Sequence, residues 1–257
     1  VLALLAPLLA LRIENLERLN VNLDDIINIR SSELLSGLDE ADESVQENPE
    51  APQFPRDCSE VPEGSPSGVY VIQPTGLSPI VVSCEMNKKY GGWTMLQRNH
   101  RESEIFWNET WSTYKYGFGN LHTDFWLGNQ YIHRITKQKK YQVRFVIWDA
   151  WNNKTFADYN LFALEDESHG YRLRLGAYSG KAVDAMTSQI LTGAHDNMMF
   201  STKDRDLDTS SENCAASSGG GWWYSSCYSA RLNIKKYLTW GKLCRGNCKA
   251  SAILIRP

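Results

Sequence analysis

The sequence predicts an α+β domain over residues 57–257, a mostly antiparallel sheet with short helices. Before it come a short coiled-coil-like helix at 1–35 and an acidic flexible linker at 36–56. Three observations lead there. Several short runs alternate apolar and polar residues between Gly-, Pro- and Ser-rich breaks, the pattern of half-buried strands. Another segment spaces its apolar residues at helical intervals, so helices stand beside the strands. The 257-residue chain is 42% hydrophobic and 11% aromatic, enough to bury a sizeable core without help.

In chain order, "VLALLAPLLA" (1–10) reads either as the tail of a signal-peptide apolar region or as the apolar start of a helix. It is too short to span a bilayer. Leu9, Ile13, Leu16, Asn20, Leu23, Ile27, Arg30 and Leu34 fall on heptad-like positions. Asn20 lies on the seam, where one buried Asn fixes register and strand number. The stretch reads as an oligomerisation helix or as a single amphipathic helix, and homo-oligomerisation through it is the expectation. "SGLDEADESVQENPEAPQFPRD" (36–57) is acidic and rich in Pro, Ser and Glu, as linkers are.

Within the domain, "SGVYVIQP" and "SPIVVSCEM" read as two strands around a Pro-Gly turn, and "TDFWLGNQYIHRITK" (123–137) as a helix. "KYQVRFVIWDAW" (140–151) reads as a central strand, with further strands in "YNLFALE" and "YRLRLGAYSG". Six cysteines (Cys58, Cys84, Cys214, Cys227, Cys244 and Cys248) make an even set without a CxxC pair or a His at zinc-ligand spacing. Together with sequons at Asn108 and Asn153 they point to a secreted, extracellular, disulfide-bonded glycoprotein.

The formal net charge of −3 says little about partners, but its distribution says more. Residues 36–57 hold seven acids and one base; residues 228–257 hold seven bases and no acid. Neither a nucleic-acid partner nor a membrane span is expected. "FSTKDRDLDTSSENCA" (200–215) sets Asp204, Asp206 and Asp208 at alternate positions. A turn through "DTSSEN" would let carboxylates and backbone carbonyls converge, as hard, flexible Ca²⁺ coordination requires. An EF-hand is excluded: counted from Asp204, Thr209 stands at the glycine position and Ala215 at the bidentate glutamate position. From spacing alone the loop reads equally as a solvated acidic turn. No nucleophile–base constellation appears, and "GAYSGK" is not a hydrolase elbow, so no enzyme is expected.

The pieces "SGVYVIQP", "CEM", "GGWTMLQR", "FWNETWSTYKYGFGNL", "DFWLGN", "YRLRLGAYSGKAVDAM", "FSTKDRDLD", "NCA" and "GGGWWYSSCYSARLN" occur in one order. In that order the chain from "DCSEV" (57–61) to "AILIRP" (252–257) resembles the fibrinogen C-terminal domain family of fibrinogen chains, ficolins, tachylectins, angiopoietins, and angiopoietin-like and fibrinogen-like proteins. The resemblance implies that the acidic loop binds Ca²⁺ through the Asp206 and Asp208 carboxylates and the carbonyls of Ser210 and Glu212. Asp204 then has a supporting role. It also implies disulfides Cys58–Cys84 and Cys214–Cys227, and a cis bond at Ser226–Cys227 beside a ligand pocket. Ser218, Trp223, Ser226 and Tyr228 are the pocket candidates, although Trp222, Trp223 and Tyr224 read first as core packing and only second as a ligand platform.

The chain departs from these relatives at its end. Tyr228 stands where acetyl-recognising lectins carry a His, and most of the family's variable pocket segment is missing from "ARLNIKKYLTWGKLCRGNCKASAILIRP". Cys244 and Cys248 close a tight loop or link two chains. Lys235, Lys236, Lys242, Arg245 and Lys249 form a basic patch, read as a surface for anionic glycans or as solvated edge guards. The resulting expectation is a secreted, non-catalytic, Ca²⁺-dependent recognition module, a signalling or matrix ligand of a cell-surface or matrix protein or glycan. The competing reading is an innate-immune lectin for acetylated or anionic glycans.

Overall fold

The last residues of the chain form the middle strand of its sheet. The computed structural model describes residues 12–29, 53–87, 91–189 and 193–257. Its strands are β1 (Gly68–Ile72), β2 (Ile80–Glu85), β3 (Trp93–His100), β4 (Phe118–Gly119), β5 (Phe125–Trp126), β6 (Tyr141–Trp148), β7 (Lys154–Leu164), β8 (Leu173–Leu175), β9 (Tyr178–Gly180), β10 (Ala230–Arg231), β11 (Thr239–Trp240) and β12 (Ala250–Arg256). One antiparallel sheet runs β1-β2-β3-β12-β6-β7-β8, with β5 also on β3, β4 on β5 and β9 on β7. β10 and β11 pair separately. The helices α1 (Trp111–Tyr116), α2 (Asn129–Thr136) and α3 (Cys214–Ser218) are short.

β12 pairs with β3 on one edge and β6 on the other, so its backbone is satisfied on both sides. Its side chains from Ala250 to Ile255 are buried on both faces of the sheet, which explains the nearly unbroken apolar run "ASAILI". The predicted strand at 140–151 is β6, beside this centre. The predicted helix at 123–137 begins later than expected: Phe125 and Trp126 first pair with Arg98 and Gln97 of β3. Gly128, at φ 119°, then turns the backbone into α2.

The coiled-coil-like helix expected at 1–35 is not what residues 12–29 form; the rest of it, and 36–52 of the linker, lie outside the described residues. A turn at 14–20 ends on Asn20, whose φ of 52° leaves the helical region and whose amide donates to the Gly119 carbonyl. Asn20 therefore reverses the backbone and is not a seam residue. The segment docks on the sheet by imitating a strand. Buried Asn15 donates from Nδ2 to the Val81 carbonyl (2.9 Å) and accepts the Val81 N–H at Oδ1 (2.7 Å). Asn28 makes the same two-point contact with Val71, both bonds at 2.8 Å. Ile26 bridges Val69 in parallel, and Leu19 is wholly buried. Leu23 and Ile27, placed on the seam by the heptad pattern, are exposed. Within 12–29, the buried apolar residues serve the domain's own core.

This strap yields a stability prediction. Asn15→Ala strands the N–H and C=O of Val81 and is expected to lower unfolding free energy by roughly 2–3 kcal/mol, and Asn28→Ala by roughly 1–2 kcal/mol. Urea denaturation checks both, as lower midpoints at unchanged slope. Wild-type midpoints in both variants would show that the strap is not part of the folded unit.

Candidate functional site

The acidic loop springs from the aromatic core. Phe200 lies among Tyr114, Trp126 and Trp223, with ring centroids 5.2, 5.9 and 5.4 Å away. Next to it, the Ser201 N–H donates to the Trp222 carbonyl (2.9 Å) and the Trp222 N–H to the Ser201 carbonyl (3.2 Å). The far side is tied by the disulfide Cys214–Cys227. Asn213 caps α3, accepting the Ala216 N–H.

Inside this frame the acids separate into roles. Asp204 accepts the Trp111 N–H (2.9 Å) and the Thr202 hydroxyl (2.7 Å), so it ties the loop to the start of α1. Asp208 accepts the Ser210 N–H at Oδ1 (2.8 Å) and the Cys214 N–H at Oδ2 (2.9 Å). Its carboxyl is pushed above the usual range, foremost by burial and also by the adjacent Asp206 carboxylate. The Asp206 carboxylate reaches the Asp208 main chain, which sets the two acids side by side. Asp206 accepts the Asp208 N–H (3.3 Å), and the Glu212 N–H donates to the Ser210 hydroxyl (3.2 Å). Among the described residues no three His, Cys, Asp or Glu side chains gather as a metal cluster. A cation here would rest on two carboxylates completed by backbone carbonyls and water, a hard-oxygen donor set of the kind Ca²⁺ accepts.

Beside the loop the Ser226–Cys227 peptide is cis. An open groove of about 510 Å³ follows it, lined by Tyr228, Ser229, Arg231, Tyr237, Thr239 and Arg245 among others, with no acid. Arg231 lies 4.4 Å over the Tyr228 ring, and its shielded Nε has no hydrogen-bond partner. Of the pocket candidates, Tyr228 lines the groove, Ser226 is exposed, and the Ser218 carbonyl faces the Arg231 guanidinium at 3.5 Å. Trp223 is corrected: it is fully buried, its Nε1 donates to the Tyr171 carbonyl (3.0 Å), and it offers no surface to a ligand.

The basic patch is not gathered into this groove. Arg245 lines it; Lys235 reaches toward Glu104 (3.8 Å), and Lys249 precedes β12, its N–H donating to the Trp148 carbonyl. Cys58 pairs with Cys84, and Cys244 with Cys248, which closes the tight loop within one molecule. Asn153 is exposed at the β6–β7 turn, whereas Asn108 is half-buried. Sequence reasoning missed Arg231 as a groove residue and missed His195 altogether. Buried His195 accepts the N–H groups of Ser229 (3.1 Å) and Ala230 (2.9 Å) at Nε2, which leaves Nδ1–H to donate to the Trp223 carbonyl (2.7 Å). It holds the groove's near wall to the core. A lone histidine in "TGAHDN" gives no periodic signal of this.

Comparison with known proteins agrees with the architecture. The family of the C-terminal globular domain of fibrinogen beta and gamma chains matches residues 54–246. A fibrinogen-like protein 1-like protein of Gallus gallus is 51% identical over 193 residues, 74% of this chain and 68% of that protein. The fibrinogen-like globe domain of human ANGPTL2 superposes with a TM-score of 0.74 at 34% identity, over 79% of this chain and 99% of that one. A lamprey fibrin D-dimer, complexed with the peptide Gly-His-Arg-Pro-amide, gives 0.75 at 30% identity, over 88% and 81% of the two chains.

His195 sets an acid limit on the groove. Burial holds its pKa down at about 4, from an ordinary 6.5. Above pH 6.5 the ring is neutral folded or unfolded and costs nothing. As pH falls from 6.5 toward 4 only the unfolded state gains this proton, so stability falls by roughly 3 kcal/mol in all. Unfolding free energies at pH 7 and 4.5 should therefore differ more for the wild type than for His195→Gln. Equal pH dependence in the two would contradict this role.

Proposed function

The chain belongs to the fibrinogen C-terminal globular domain family, which is non-catalytic, and from that premise we propose that it is a secreted, calcium-ordered recognition module acting as an extracellular signalling or matrix ligand. The observation that carries the reading is the placement of Asp206 against a half-buried Asp208 on a loop tied at both ends, next to an acid-free groove. Asp206 and Asp208 would hold the ion with the carbonyls of Ser210 and Glu212. The ion would supply the positive charge that removes the repulsion between the two acids and fixes the turn beside Tyr228. These residues bind and position; nothing in the groove pairs a nucleophile with a base.

The partner is a cell-surface or matrix protein or glycan. The lectin reading is favoured by one feature: Arg231, stacked on Tyr228, and Arg245 line the groove together with Tyr237, which suits an anionic sugar better than an acetylated neutral one. A glycan array with and without Ca²⁺ separates the readings, since strong hits on N-acetylated sugars would favour an acetyl lectin.

Calcium linkage gives the test of the leading reading. Saturating Ca²⁺ should raise the melting temperature over that in EDTA by about 2–4 °C for each kcal/mol of linked binding. Asp208→Asn should abolish the difference. Superimposable wild-type curves in Ca²⁺ and EDTA would sink the proposal.

A further inference from the structure

The outer face of the sheet is not flat. Along β12, Ala250 sits between His100 of β3 and Trp148 of β6, and Ala252 between Arg98 and Val146. Two methyl groups flanked by long side chains leave a trough of about 650 Å³. Arg98 and His100 form one wall; Trp148, Lys154 and Phe156 form the other. Arg144 closes one end, bound to Asp158 by two bonds of 2.9 and 2.8 Å and lying 4.1 Å over Phe156.

The basic side chains facing this trough are unevenly committed. Arg144 has its carboxylate, and His100 has Asp124 at 2.6 Å. Among the described residues, neither Arg98 nor Lys154 has a carboxylate within ion-pair distance. Arg98 donates only to the His122 carbonyl (3.2 Å), and exposed Lys154 lies 5.3 Å over the Trp148 ring. The one acid lining the trough, Glu85, accepts the Ser67 hydroxyl (3.0 Å) at its edge. Asp124 and Glu85 act on Arg98 from beyond ion-pair distance and offset part of its charge, whereas Lys154 on the other wall has no such neighbour among the described residues, and an indole ring stands between apolar floor and solvent.

We infer that this trough is a calcium-independent binding site for a linear sulfated polysaccharide. A rigid sugar polymer stacks a pyranose face on Trp148 and sets sulfates against Arg98 and Lys154. Arg98 and Lys154 lie on neighbouring rows of the sheet, about 7 Å apart along the strands. A peptide strand is disfavoured because the N–H and C=O groups of β12 are already paired with β3 and β6, leaving nothing for an added main chain. The site shares no residue with the calcium loop or the Tyr228 groove, so it stands or falls apart from the proposed function.

The test uses the full-length protein with a heparin-derived hexasaccharide and an unsulfated hexasaccharide as control. Wild type should stay on a heparin column at about 0.15 M salt, in Ca²⁺ or EDTA alike. It should bind the sulfated probe only, and the probe should shield Lys154 from acetylation while Lys235 and Lys236 stay reactive. Arg98→Gln/Lys154→Gln should weaken binding about tenfold, as loss of charge-assisted contacts does, with an unchanged melting temperature. Lys235→Gln/Lys236→Gln should bind as wild type does. No retention of the wild type, loss of binding in the Lys235/Lys236 variant alone, or unprotected Lys154 under saturating probe would overturn the inference. The acetylation readout needs no variant, so a folding defect in the double substitution cannot hide the answer.

Discussion

Ser201 and Trp222 exchange two main-chain hydrogen bonds, and the acidic loop and the Tyr228 groove are built outward from that bridge. Phe200 on one side of the bridge and Trp222 and Trp223 on the other are fully buried, so both feet of the acidic loop stand in the core. The backbone between them must close on itself, and Asp204 at α1 and the Cys214–Cys227 link narrow how it does so. Asp206 and Asp208 end side by side because the loop's anchors put them there, against their mutual repulsion. Charge that is costly to hold together is a reason to bind a cation, provided the frame is stiff enough not to spread.

The same constraint governs the other side of the groove. His195 takes the N–H groups of Ser229 and Ala230, so the residues after the cis bond cannot drift from the core without leaving buried donors unpaired. From there the backbone passes through the β10–β11 hairpin and the Cys244–Cys248 loop and returns as β12 between β3 and β6. Groove and sheet are thus joined by one continuous stretch, and the sheet is complete only when the last strand arrives.

Much of this was legible in the residues. Alternating runs located β1, β2, β6 and β7, and the ordered motifs gave the family and with it the expectation of a calcium loop. Three things were not. The seam pattern from Ile13 to Ile27 mimicked a coil because helical spacing does not reveal which surface it meets, and here the surface was the edge of β1 and β2. Trp223 stayed a pocket candidate beside its core-packing reading because glycine-flanked aromatics are ambiguous until burial is known, and its burial leaves only the packing. Arg231 and Arg245 are fourteen positions apart, and only the hairpin brings them to one groove. Long-range pairing of that kind leaves no local periodicity to read.

The central claim is that one divalent ion organises the turn beside Cys214, so that the protein acts by binding. Anomalous diffraction from crystals grown in millimolar calcium tests it directly. The account predicts a single peak shared by the Asp206 and Asp208 carboxylates and the Ser210 and Glu212 carbonyls, at roughly 2.3–2.6 Å from each. Two carboxylates turned away from each other, with no peak between them, would contradict it.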